Sequence, residues 1–219
     1  SLFVCYDYFM ILFLFGDSIT QGYWDSKGGW ADRIRSYVLE QDVNNNFNHY
    51  HGVYNLGIDG NTTQQVLDRF ENEVKARLWK DAEYAFIFAV GTNDTVIQRG
   101  GRMLTDPSRY ANQIKQLHSK ASKYSSKIAF INLLPVDEAL TNPLPNSTSG
   151  KCYTNERIES FNSTLEAQCN SLNVTVIDAR SSFIESDNLL ADGLHPNDEG
   201  HKAIYEKSSQ IVINWLYAN

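Results

Sequence analysis

The chain has 219 residues, 42% of them apolar and 12% aromatic, with 19 Lys+Arg against 26 Asp+Glu and a formal net charge of −7. A chain of this length buries about 70% of its unfolded surface, enough for one full core and too little for two ordinary domains. The composition excludes disordered and collagen-like chains, and an acidic balance with scattered Lys and Arg speaks against a nucleic-acid face.

The opening stretch, Ser1–Phe15, is apolar enough to suggest a secretory leader, but it lacks a basic start and Asp7 interrupts it. Its last part, Phe9–Phe15, reads as a strand buried on both faces, because it is apolar without alternation. Met10 is therefore expected to be the native start, with residues 1–9 an addition to a single domain over 1–219. Helical spacing of Trp30, Ile34, Tyr37 and Val38 predicts a helix over Trp30–Gln41, and Tyr50–Leu56 reads as a second strand. Val66, Leu67, Phe70, Val74 and Leu78 form one stripe of an amphipathic helix over Thr63–Leu78, followed by a third strand, Tyr84–Val90.

Asp106-Pro107 supplies an N-cap with proline at the first helical position, and the helix it opens turns Ile114, Leu117 and Ala121 inward. A fourth strand over Lys127–Leu134 stops at Pro135. The connection Val136–Tyr153, rich in Pro, Asn, Ser and Thr, is long enough to suggest a lid. Thr154–Leu172 follows as a helix with Ile158, Phe161, Leu165, Cys169 and Leu172 in register, then a fifth strand, Val174–Ile177. A closing helix from about Asn197 to Tyr217 buries Ile204, Ile211, Val212 and Trp215. Strands alternating with helices imply an α/β fold, a three-layer α/β/α sandwich around a five-stranded parallel sheet.

Cys5, Cys152 and Cys169 have no regular spacing, so neither a disulfide framework nor a zinc site is expected, and Cys169 reads as a small core residue. N-x-S/T sequons begin at Asn61, Asn93, Asn146, Asn162 and Asn173. A glycan on Asn93 would obstruct the chemistry argued below, so a cytoplasmic, bacterial home is expected. No run approaches the ~20 apolar residues of a membrane span, so no integral membrane association is expected.

Four polar motifs fall at the carboxyl ends of the predicted strands. They are Gly16-Asp-Ser-Ile-Thr-Gln-Gly22, Asn55-Leu-Gly-Ile-Asp-Gly60, Gly91-Thr-Asn-Asp94 and Asp192-Gly-Leu-His-Pro196. In open parallel sheets the sites form at that end. Acyl transfer by serine requires a hydroxyl, a base, an orienter for the base and donors for the oxyanion. Ser18 suits the nucleophile, His195 the base and Asp192 its orienter; the backbone N–H groups of Ser18 and Gly57 and the amide of Asn93 suit the oxyanion. Gly57 is read as admitting a close approach of its N–H to substrate, since it lacks a Cβ.

This set of motifs resembles the GDSL/SGNH hydrolase family from Phe9 to the closing helix. The family's name-giving residues fall on Ser18, Gly57, Asn93 and His195, and its catalytic acid on Asp192. The resemblance implies a flavodoxin-like three-layer fold and hydrolysis of a small-molecule ester without cofactor or metal. The first motif departs from the family name in carrying Ile19 where leucine would stand.

Other polar residues have plainer readings. His49 and His51 have strand spacing without a third metal ligand and read as a solvated face, while His118 and His201 read as helix surface. Asp178, at the end of the fifth strand, rivals Asp192 as orienter; Asp17 and Asp94 suit backbone bonding. Tyr23 and Trp24 suit either a substrate pocket or core packing. Two other functions share the fold: a flavin- or nucleotide-binding module with Gly16–Gly22 as phosphate cradle, and a non-catalytic binder of acylated ligands.

Overall fold

The run Met10–Phe15 is apolar at every position because both faces of its strand are covered. The computed structural model describes residues 8–186 and 188–217; Cys5 and the opening residues 1–7 lie outside the described range. In chain order the elements are β1 (Tyr8–Gly16), α1 (Ser18–Gln21), α2 (Gly29–Asn44), β2 (His49–Gly57), α3 (Thr63–Lys75) and β3 (Glu83–Ala89). A 3-10 turn at Asn93–Thr95 leads to the small pair β4 (Ile97–Gln98) and β5 (Arg102–Met103), then α4 (Pro107–Ala121) and β6 (Ile128–Ile131). The chain closes with α5 (Glu138–Thr141), α6 (Asn155–Leu172), β7 (Thr175–Ile177), α7 (Arg180–Glu185) and α8 (Asp198–Tyr217).

The main sheet has the order β2-β1-β3-β6-β7, and every pairing in it is parallel. Counting only its five strands, this is the doubly wound order of flavodoxin-like sheets, whose reversal point lies at β1. Ile11, Phe13 and Phe15 point to one face, where they meet Phe70 of α3, Ile114 and Leu117 of α4, and Phe161 of α6. Met10, Leu12 and Leu14 point to the other, against Trp30 and Ile34 of α2 and Ile204 and Val212 of α8. Phenylalanine rings stack from strand to strand on the first face: Phe15 lies 5.6 Å from Phe88, which lies 5.0 Å from Phe130. β1 is thereby held on both edges and both faces, and its carboxyl end is a rigid platform.

Helix ends follow local chemistry. Asp106 accepts the Arg109 N–H at 2.9 Å with Pro107 at the first position, and Thr62 with Gln65 forms a capping box at α3. Asn173, in the left-handed region at φ 54°, ends α6.

The differences from expectation have physical reasons. α3 ends at Lys75, so Leu78 leaves the apolar stripe and is exposed. The fourth sheet strand stops at Ile131 rather than Leu134, because the Leu133 N–H is taken by Asn162 Oδ1 at 2.7 Å. Val136–Tyr153, expected as a long connection, is ordered, carries α5 and packs back onto the carboxyl rim. It bridges back through Ile97 and Cys152, and its Val136 and Tyr153 pack with Val96 and Leu194 in a small apolar cluster at the carboxyl rim. Cys152 and Cys169 are free thiols, the latter buried on α6. Among the described residues no helix is long and apolar enough to cross a membrane.

Phe70→Ala, in the centre of the first face, is expected to cost about 3–5 kcal/mol in urea unfolding, while Leu78→Ala changes stability by less than about 1 kcal/mol. Equal costs would contradict the placement of the end of α3.

Candidate active site

Ser18 stands one residue beyond the Asp17 cap of α1, where the chain turns sharply out of β1. Asp17 Oδ1 accepts the Ile19 N–H at 3.0 Å, and Gly22 ends the helix after four residues at φ 99°. Any side chain at Gly22 would meet the Gly28 carbonyl, its Cβ lying 2.2 Å from that oxygen, so glycine is required there. The turn is short because its far end is pressed against the start of α2.

From the opposite end of the chain, the turn after Leu190 brings in Asp192 and His195. Asp192 Oδ1 accepts the backbone N–H groups of Leu194 at 3.0 Å and His195 at 2.8 Å, folding the loop into a tight turn with Gly193 at φ 86°. Asp192 Oδ2 lies 2.8 Å from His195 Nδ1, and His195 Nε2 lies 2.9 Å from Ser18 Oγ. Partial burial works against the Asp192 charge. The His195 N–H and imidazole, the Leu194 N–H and the Trp24 indole outweigh it and hold the carboxyl down to about 2. An ionised carboxylate only accepts, so the imidazole proton sits on Nδ1 and Nε2 is left to accept from the Ser18 hydroxyl.

Gly57 and Asn93 lie at the ends of β2 and β3, on the same rim. Gly57 has a packing reason to be glycine besides the expected approach to substrate. An added Cβ would stand 2.1 Å from the Gln21 nitrogen and 2.7 Å from the Asp17 carbonyl, where β2 presses on α1. Its N–H donates to Asn55 Oδ1 at 3.0 Å. The Asn93 amide donates to Asp17 Oδ2 at 3.3 Å and to the Asn61 carbonyl at 3.2 Å, while Asn93 Oδ1 accepts from Tyr153 at 3.0 Å. Burial pushes the Asp17 carboxyl up to about 6, opposed in part by the Ile19 N–H and the His195 charge. Asp94 is buried and accepts from the Thr63 N–H and hydroxyl and from Thr105, fastening the start of α3 to this rim. Asp17 thus bonds backbone, as expected, and also the Asn93 side chain.

Three residues support the site; Arg69 and Tyr153 escape a reading of the sequence, and Trp24 was singled out there without this role. Arg69 on α3 donates to the carbonyls of Gly16 at 3.1 Å and Leu56 at 2.6 Å and to Asn61 Oδ1 at 2.9 Å, tying the ends of β1 and β2 to the next loop. Its signal is a cation directly before core residue Phe70. Tyr153 reaches Asn93 from the 136–153 segment. Trp24 is exposed and donates its indole N–H to Asp192 Oδ2 at 2.8 Å. Tyr23 and Trp24 thus lie beside the site rather than in the core.

Two histidines correct their expected surface placement. His201 is fully buried: its Nδ1 accepts from the Trp30 N–H at 3.3 Å and its Nε2 donates to the Tyr23 carbonyl at 2.8 Å. His51 is buried as well, with Nδ1 accepting the Met10 N–H at 3.3 Å, and burial pulls it down to about 4. His118 is half-buried on α4, Nε2 3.3 Å from Ser122 Oγ. Asp178 bonds Asn132 at 2.8 Å and the Ser181 N–H at 3.1 Å, at the start of α7, and orients no histidine. Among the described residues no group of three His, Cys, Asp or Glu could hold a metal ion.

The family model described as GDSL-like Lipase/Acylhydrolase matches residues 14–203. No curated protein matches the sequence. Among solved structures, a lipase/acylhydrolase from Enterococcus faecalis is 22% identical, with 96% of this chain and 98% of that one covered at a TM-score of 0.71. A variant of Axe2, an acetyl-xylooligosaccharide esterase from Geobacillus stearothermophilus, is 17% identical, with 96% and 97% covered at 0.69. A member of the lipolytic G-D-S-L family from Veillonella parvula is 23% identical, with 92% and 97% covered at 0.66. At these identities the structural likeness is one of fold.

Carboxyl carbon-13 NMR is expected to find Asp192 titrating near pH 2 and Asp17 near pH 6. The Asp17 value is raised above its unfolded 3.8, so folding takes up a proton between those pH values. This group's contribution is most favourable below pH 3.8 and is lost as pH rises through about 6. Two ordinary aspartate midpoints would contradict the burial and bonding described.

Proposed function

The chain belongs to the GDSL-like lipase/acylhydrolase family of carboxylic ester hydrolases, and on that premise we propose that it cleaves esters through an acyl-enzyme formed on Ser18. The observation that carries this reading is the unbroken series Ser18 Oγ, His195 Nε2, His195 Nδ1, Asp192 Oδ2, with steps of 2.9 and 2.8 Å on either side of the ring. His195 takes the Ser18 proton as Oγ attacks the ester carbonyl, and Asp192 steadies the imidazolium that forms. His195 then protonates the leaving alcohol, and afterwards deprotonates the water that releases the acid and regenerates Ser18.

The oxyanion is assigned to the backbone N–H of Ser18, the N–H of Gly57 and the Asn93 amide. In the resting protein Gly57 donates to the neutral Asn55 Oδ1, and Asn93 makes bonds of 3.2 and 3.3 Å. Charge-assisted hydrogen bonds are roughly twice as strong as neutral ones, so an anion developing on the substrate draws these donors as it forms.

No observation favours a phosphate cradle: the Ile19 N–H in the Gly16–Gly22 turn is spent on Asp17 itself, which also puts a carboxyl where phosphate would lie. A silent acyl-ligand binder would have no use for the hydrogen-bonded Ser18–His195–Asp192 series.

A fluorophosphonate probe should label the wild type and not Ser18→Ala. Asn93→Ala should retain labelling but lose about 10²–10³ in kcat on a p-nitrophenyl ester. Labelling that persists without Ser18 would contradict the assignment.

A further inference from the structure

Trp24 combines two costly features in one residue. Its backbone sits at φ 66°, in the left-handed region that favours glycine, and the residue is 58% exposed. Neither feature is required by the core. What the conformation achieves is delivery of the indole N–H to Asp192 Oδ2 at 2.8 Å, the same oxygen that faces His195 Nδ1. Asp192 Oδ1 is already fixed by two backbone N–H groups, so the indole supplies the remaining external donor to the carboxylate.

The segment that carries Trp24 is built to hold this shape. His201 on α8 donates to the Tyr23 carbonyl just before it. Just after it, Asp25 accepts the N–H groups of Lys27 and Gly29 and a two-pronged contact from Arg33, at 2.7 and 2.9 Å. Asp198 binds the Ser26 N–H and hydroxyl, so both ends of α2's approach are tied to α8. The Tyr23 ring lies 6.0 Å from the Trp24 ring, edge-on, and 5.8 Å from the His195 ring. The other titratable groups acting on His195 are Asp17, behind Ser18, and His201.

Resting on the hydrolase reading above, we propose that Trp24 is a positioning residue. Its indole N–H, bonded to Asp192 Oδ2 beside the His195 proton, holds the carboxylate in the plane that keeps the imidazole aimed at Ser18. The strained backbone is the means by which a loop anchored on α8 places the ring of an exposed residue over Asp192. Trp24 touches neither Ser18 nor the attacked carbonyl in this role; it acts through Asp192.

Trp24→Phe keeps an aromatic ring and removes only the donor. It is expected to lower kcat about tenfold with KM unchanged, the scale of one hydrogen bond to a charged group. With that donor gone, Asp192 directs more of its charge at His195, so the acid limb of the kcat/KM profile moves to higher pH. In the nitrogen-15 spectrum of the wild type, the indole N–H signal that disappears in Trp24→Phe should exchange slowly with water despite the residue's exposure. It should also shift with the same midpoint as that acid limb. A Phe variant with unchanged kcat and pH profile, or one with raised KM alone, overturns the role, as does an indole N–H that exchanges freely. Fluorophosphonate labelling separates the two readings. If Ser18 of the wild type is not labelled, the hydrolase reading fails and the proposal falls with it. If it is labelled normally and the Phe variant is kinetically silent, the role of Trp24 alone is wrong.

Discussion

The hydrogen bond between Ser18 and His195 joins groups 177 residues apart in the chain, and the architecture can be understood as the means of keeping them 2.9 Å apart. Ser18 is fixed because β1 is buried on both faces and paired along both edges, so the turn after Gly16 has no freedom to drift. His195 is fixed by the Asp192 turn, whose carboxylate satisfies two backbone N–H groups and still faces the ring. A contact of such long sequence separation carries a large closure entropy, and a rigid sheet between two helical layers is what repays it.

Around that contact the supporting polar groups are nearly all committed. Arg69 gathers the carbonyl ends of β1 and β2, Asp94 ties α3 to the rim, and Tyr153 holds the Asn93 amide from outside. Buried polar networks of this kind raise the penalty for any single loss, since each removal leaves a partner unsatisfied in a low-dielectric setting. Burial resists the charge on Asp17, as it does on Asp94 and Arg69, and Asp17 sits between the nucleophile turn and Asn93.

Much of this was legible in the sequence, and the exceptions have a pattern. Phe9–Phe15 announced a two-faced strand because no polar residue interrupts it, and the helices of the α3 and α4 kind showed unbroken apolar stripes. Three of the motifs were legible because each follows a strand, whereas the Asp192–Pro196 motif lies between α7 and α8 and was legible from its own residues. What local pattern could not show is what depends on distant partners. Val136–Tyr153 looks like a lid by composition, yet its order comes from Ile97, Asn93 and Gly193, none near it in sequence. His201 looked like helix surface, although its spacing of three from buried Ile204 was the available signal. At Gly57 the lack of a Cβ also answers to Gln21 and Asp17, a packing reason that only the distant contact of β2 with α1 shows.

The most direct measurement of the central claim is rapid-quench mass spectrometry of the wild-type protein with p-nitrophenyl acetate. The account predicts an early burst of about one nitrophenolate per chain, matched by one acetyl group on the peptide that contains Ser18, as an accumulating acyl-enzyme requires. Ester turnover in which the acetyl group settles on another residue, or the release of product with Ser18 unmodified throughout, would contradict it.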